Sequence, residues 1–185
     1  MDRTVKGVLF LDYVRMIRRS KGGDWGRRLG PSDMAIVSGR IDPKSWYPMD
    51  VFERLGLAIL AEIAGGDVEA AYAWGKAYMA GVFETYEGLV AEGNPMESLM
   101  RFKVLERSFF SFEGVAVPSL EPNGATLRIQ FHMSPLAEQA SAYQTLGFFE
   151  SMLERAGAHG LVHEFKQKAW EGADSTIIAF RWASP

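Results

Sequence analysis

The sequence has no cysteine and only three histidines. The first absence removes disulfides, thiolate metal sites, cysteine nucleophiles and thioester attachment together. The second leaves little for metal or acid–base chemistry. His132, His159 and His163 form no HExxH pair, and the last two lie four apart across a turn and a strand rather than on one helix face. Each is expected to be structural or to face solvent. No GxxxxGK(S/T) loop, no GxGxxG after a strand and no GxSxG elbow occurs, so nucleotide chemistry and the commonest serine-hydrolase chemistry have no visible seat. Long hydrophobic runs are missing as well. The stretch VLFL near the amino terminus is broken by Asp12 and Arg15, too soon for a signal-peptide core, and nothing approaches the ~20 apolar residues of a membrane span. A cytoplasmic protein is expected. Basic charge is not in excess, with 20 Lys and Arg against 23 Asp and Glu, which argues against a general nucleic-acid binder.

What is present is the composition of a folded domain: 48% hydrophobic and 23% charged residues. With 185 residues and no linker, repeat or low-complexity tract, the chain reads as a single domain over 1–185. One local charge imbalance stands out between Arg15 and Arg28. Arg18, Arg19, Arg27 and Arg28 would carry any contact with an acidic partner, although long basic side chains on a solvated helix face look the same.

Helical periodicity dominates the first 112 residues. Val5, Val8, Leu9, Tyr13, Met16 and Ile17 follow one stripe, stopped by Lys21-Gly22-Gly23, and a short helical piece covers Asp24 to Leu29. Pro48 and Asp50 suit the first turn of a helix whose buried stripe is Val51, Phe52, Leu55, Ile59 and Ile63, ended by Gly65-Gly66. Asp67 caps the next, whose apolar spacing predicts a central helix of six turns to Val90. Asn94-Pro95-Met96-Glu97 reads as cap, first-turn proline and capping-box acid of a helix to about Phe110. Its apolar residues cover more than one face, so it is either sandwiched or at an interface.

After Phe112 the period falls to two. Strands over Gly114 to Leu120 and Ala125 to Met133 flank the turn Glu121-Pro122-Asn123-Gly124. Ser134-Pro135 opens a helix to about Ala156, and strands Leu161 to Lys168 and Ser175 to Trp182 follow. The fold class is α+β: a helical amino-terminal half of four or five helices, packed with an antiparallel sheet of about four strands and one helix between two hairpins.

The segments GVLFLDYV, SWYPMDVFERL, YAWGKAYMAGVF, AYQTLGFFESMLERAGA and IIAFRW together resemble a paralogous family of small proteins found largely in myxobacteria. That family is distantly similar to the haem-nitric-oxide-binding, vinyl-reductase and transport-protein-particle small-subunit group. The resemblance implies a mixed helical and antiparallel-sheet fold, often dimeric through helices, used for ligand sensing or as an assembly scaffold, and it implies no reaction. The helical proximal histidine and YxSxR motif of the haem-sensing members are lacking, as are the cysteine positions of the other two groups. No cofactor is expected. Only the Trp46-Tyr47-Pro48 corner and the Trp182 strand carry over, both as structural elements.

Two functions follow as expectations. The first is a non-enzymatic interaction, scaffold or signalling-adaptor module, a homodimer or a subunit of a hetero-assembly, binding a protein partner through Met96, Met100, Phe102 and Phe109. The alternative is a sensor that encloses an apolar small molecule without haem, with Trp46, Tyr78 and Phe149 among the pocket walls. It calls for a cavity of about 300 Å³, the lower end for ligand sites. An enzyme is the least expected. Trp46 and Tyr47 should cover one end of the helical core, so that Trp46→Ala would cost about 3–5 kcal/mol.

Overall fold

In the computed structural model, residues 3–78 and 80–183 are described, without the side chains of Tyr78 and Ala80. The chain opens with a short strand, β1 (Thr4–Lys6), and a helix, α1 (Gly7–Arg19). The apolar stripe read for α1 is buried apart from the half-buried Leu9, but its first member, Val5, lies in β1. β1 pairs antiparallel with β2 (Trp46–Pro48), setting Val5 opposite Tyr47 and Lys6 opposite Trp46. Strand alternation then answers why two aromatics stand side by side here. Tyr47 turns inward and stacks on Phe10 with ring centroids 4.7 Å apart, and its hydroxyl accepts from the Asp42 N–H at 2.9 Å. Trp46 turns outward, 43% exposed, under the Lys6 ammonium 4.2 Å from its ring centroid. The expectation that Trp46 plugs the core is therefore corrected.

Between these strands lie a one-turn helix, α2 (Trp25–Arg28), and α3 (Pro31–Ser38), a helix that periodicity does not announce. Asp33 of α3 is almost fully buried and receives two bonds from Arg54, at 2.9 and 2.8 Å. That guanidinium holds the Asp33 carboxyl below its ordinary pKa. Arg54 belongs to α4 (Met49–Ala64), which ends at Gly65 in the left-handed conformation, φ 61°. The expected stripe of α4 is buried except for Ile63, which is 41% exposed.

The helical stretches α5 (Glu69–Tyr78) and α6 (Ala80–Thr85) follow, on either side of position 79. The helix read to Val90 thus ends at Thr85. Gly88 takes a positive φ of 83°, and its carbonyl accepts from the Arg101 side chain at 2.5 Å. α7 (Pro95–Leu105) begins as expected, with the Asn94 side chain accepting from the Glu97 N–H at 3.0 Å. The Glu97 carboxylate pairs forward with Arg101 at 2.9 Å. α7 gives way to a 3₁₀ turn at Glu106–Ser108, short of Phe110.

β3 (Val115–Glu121) and β4 (Gly124–Ile129) form a hairpin whose two-residue loop is Pro122-Asn123. The longest helix, α8 (Pro135–Arg155), leads to β5 (His159–Gln167) and β6 (Thr176–Ala183), and the sheet order is β3-β4-β6-β5, antiparallel throughout. The α+β class stands as read. α8, not the helix after Asp67, is the central one. It crosses α5 with glycines at the contact: a Cβ on Gly147 would stand 2.2 Å from the Tyr72 carbonyl oxygen, and one on Gly75 2.0 Å from that of Gln144. One hydrophobic cluster runs from α1 through α4, α7 and α8 to β4 and β6. No helix among the described residues is long and apolar enough to cross a membrane.

Candidate functional site

A small cavity of about 70 Å³ lies where α1, α7 and α8 meet β3. Phe102 of α7, Phe109 and Phe110 beyond it, and Phe148 and Phe149 of α8 make most of its wall. Their rings interlock: Phe102 meets Phe149 edge-on at 4.6 Å, and Phe148 meets Phe149 at 5.2 Å. Leu9, Phe52, Val82, Val115 and Phe131 complete the apolar lining. At about half the 150 Å³ of a cavity that accepts benzene, the space holds a few heavy atoms. It falls short of the ~300 Å³ expected of an enclosed site for a larger ligand.

Polar groups enter from α1 and α8: Asp12, Ser141, Gln144 and Thr145. Burial pushes the Asp12 carboxyl above its ordinary pKa, with Arg15 at 3.2 Å opposing the shift. Next to it, the Tyr13 hydroxyl donates to Gln144 Oε1 at 2.5 Å. Burial raises the Tyr13 pKa, so the phenol stays protonated and fixes the amide's orientation. The arrangement is an apolar pocket with a few convergent polar groups, the usual build of a small-molecule site. Nothing in it combines a nucleophile with a base.

The residues singled out from the sequence scatter. Phe149 lines the cavity, Trp46 stands on the outside, and the Tyr78 side chain lies outside what is described. Of the four assigned to a partner surface, Phe102 and Phe109 are buried, at 4% and 3% exposure, and wall the cavity instead. Met100 is 41% exposed, with Val104 at 82% one turn further on. The basic patch is partly spent within the fold: Arg18 donates to the carbonyls of Val37 and Gly39, and Arg28 pairs with Glu62 at 2.7 Å. Arg19 and Arg27 stay exposed.

No histidine reaches the cavity. His132 sits in the left-handed conformation between β4 and α8, φ 56°, and His159 is exposed at the start of β5. His163 Nδ1 lies 2.6 Å from Glu150 Oε1, and Glu150 also accepts from the Tyr72 hydroxyl, so this carboxylate ties α5, α8 and β5 together. Among the described residues, no group of three or more His, Cys, Asp and Glu could hold a metal ion.

The sequence matches no protein-family model and no curated protein. Solved structures do resemble it over nearly its whole length. The oxygen-binding H-NOX domain related to soluble guanylate cyclases, in its oxygen complex, aligns with a TM-score of 0.63 at 12% identity, covering 97% of this chain and 96% of its own. The Fe(II) unliganded H-NOX protein from K. algicida aligns at 0.61 and 12%, with 97% of each chain covered. The Fe(II)NO form of the H-NOX protein from S. oneidensis aligns at 0.59 and 11%, covering 96% and 99%. At such identities the likeness speaks for architecture alone: this chain has the H-NOX fold.

Proposed function

We propose that this chain is a cytoplasmic, non-enzymatic sensor domain that takes a small apolar molecule, without haem, into the cavity between α1, α7, α8 and the sheet. The observation that carries the reading is the cavity itself, walled by interlocked phenylalanines and polar only where Asp12, Ser141, Gln144 and Thr145 converge. The H-NOX fold supports it: the structures that share it include an oxygen-binding domain in its oxygen complex and a protein in an Fe(II)NO ligation state.

A haem, which two neighbouring structures name, does not fit this chain. The cavity is far smaller than a porphyrin needs, its phenylalanines contact one another across it, and its lining offers no imidazole or thiolate for an axial position. Sensing here is therefore assigned to the apolar pocket. The test is xenon added to labelled protein, read by amide NMR. Shifts should concentrate at Leu9, Val82, Thr145 and Phe149, and vanish in a folded cavity-filling Val115→Leu variant. No shift at saturation would overturn the reading. Added haem should give no Soret band distinct from free haem.

A second reading, an adaptor that associates through helices as a homodimer or with another protein, is favoured by the outer stripe of α7 at Met100 and Val104. Sedimentation at high concentration tests it: a monomer unaffected by Val104→Asp rules it out.

A further inference from the structure

We propose that the site has two chambers and takes a small amphipathic monoacid, its apolar end in the inner cavity and its anionic group in an outer groove against Arg15 and Arg19. The inference rests on the sensor reading and names its ligand class. The groove, about 490 Å³, lies between α1, α5 and α6, within the usual size of ligand sites. Met16, Ile63 and Trp74 give it apolar walls. Asp12 borders both spaces, and one face of α1 carries Leu9 into the first, Asp12 to the two together, and Arg15 and Arg19 into the second.

The charges select an anion. Asp12 is already engaged by Arg15, and its side chain is only 13% exposed. Burial drives its carboxyl toward the neutral form, so it offers little to a cationic head. Arg19, one turn beyond Arg15, is exposed and makes no ion pair among the described residues. Arg18 is turned away onto the carbonyls of Val37 and Gly39. Glu84 stands in the same groove, exposed, and opposes a second negative group, which limits the ligand to one. The inner cavity takes about three or four carbons of the tail. The rest crosses the groove beside Trp74.

The test titrates hexanoate and octanoate, below micelle-forming concentrations, against 1-hexanol and 1-octanol, with amide shifts at Leu9, Ala77 and Thr145 as readout. The acids should bind more tightly than the alcohols. Arg19→Gln, with its melting temperature unchanged, should weaken the acids about tenfold and leave the alcohols alone. Equal binding of acid and alcohol, or an Arg19→Gln variant without effect, overturns the anionic head while the inner cavity stands. Shifts with xenon but with none of the four amphipaths overturn the two chambers and spare the sensor reading. Silence from xenon as well ends both.

Discussion

Gly147→Ala tests the crossing on which the cavity depends. α8 contributes Gln144, Thr145, Phe148 and Phe149 to the site, and their placement follows from how closely α8 lies on α5. A methyl group at 147 would stand 2.2 Å from the Tyr72 carbonyl oxygen and 2.9 Å from the Lys76 nitrogen, both backbone atoms that no rotamer change can move. Overpacking of this kind costs roughly 1–3 kcal/mol, here toward the upper end because helix axes must separate. Removing a glycine from a helix interior returns about 1 kcal/mol. The net loss is about 2 kcal/mol, which for a chain of this size lowers the melting temperature by about 4–8 °C. The control is Gly81→Ala, the same chemical change in α6 where nothing lies within 4 Å of the added carbon. It should raise the melting temperature slightly. Thermal unfolding by far-UV circular dichroism decides. A Gly147→Ala protein melting within a degree of wild type, or a Gly81→Ala protein losing as much, would refute the close crossing.

Arg54→Ala removes both bonds to the buried Asp33 and should cost about 1.5–3 kcal/mol at neutral pH. Because Arg54 holds the Asp33 pKa down, this stabilisation is present above the unfolded-state pKa and lost as pH falls through the folded one, so the gap between wild type and variant in denaturant melts should close in acid. Glu138 has the opposite sign. Burial raises its pKa, and its Oε2 has no partner. The native state therefore loses stability as pH rises through that value, and the melting temperature of Glu138→Gln should gain on wild type from acid toward neutral pH. Trp46→Ala should cost about 1 kcal/mol or less, the scale of an exposed cation–π contact. A loss of 3 kcal/mol or more would restore Trp46 to the core.

The elements legible in the sequence are those with chemical punctuation. Asn94-Pro95 and Ser134-Pro135 open α7 and α8, Gly65 closes α4, and Pro122-Asn123 turns the first hairpin. What stayed hidden is held by distant partners. α3 is one turn of proline and acid followed by the contiguous apolar run Met34 to Val37, which shows no period, and it is secured by Arg54 from another helix. β1 and β2 are three residues each, too short for alternation to register, and their pairing joins Thr4 to Pro48 across α1, α2 and α3. The helix after Asp67 was read too long because apolar spacing continues past Thr85, while the backbone turns at Gly88.

The site was less legible for a related reason. A helix with apolar residues on several faces shows that it is covered, not by what. Leu99 and Phe102 of α7 face the core, while Met100 and Val104 face outward, so half of an anticipated partner surface became cavity wall. Asp12 is a signal in the sequence itself: it stands three residues after Leu9 and four before Met16, a lone carboxylate on the apolar stripe of α1. A core whose only task is packing gains nothing from a buried carboxyl, which costs free energy unless paired and hydrogen-bonded. Here a half-buried one, answered only by the solvent-exposed Arg15, is kept at the junction of an apolar cavity and an open groove, beside a tyrosine–glutamine pair that orients a further polar group. Departures from local consistency of this sort gather where function has been placed. That is the physical reason for seeking a ligand on α1 and α8 instead of reading the phenylalanines as a solid interior.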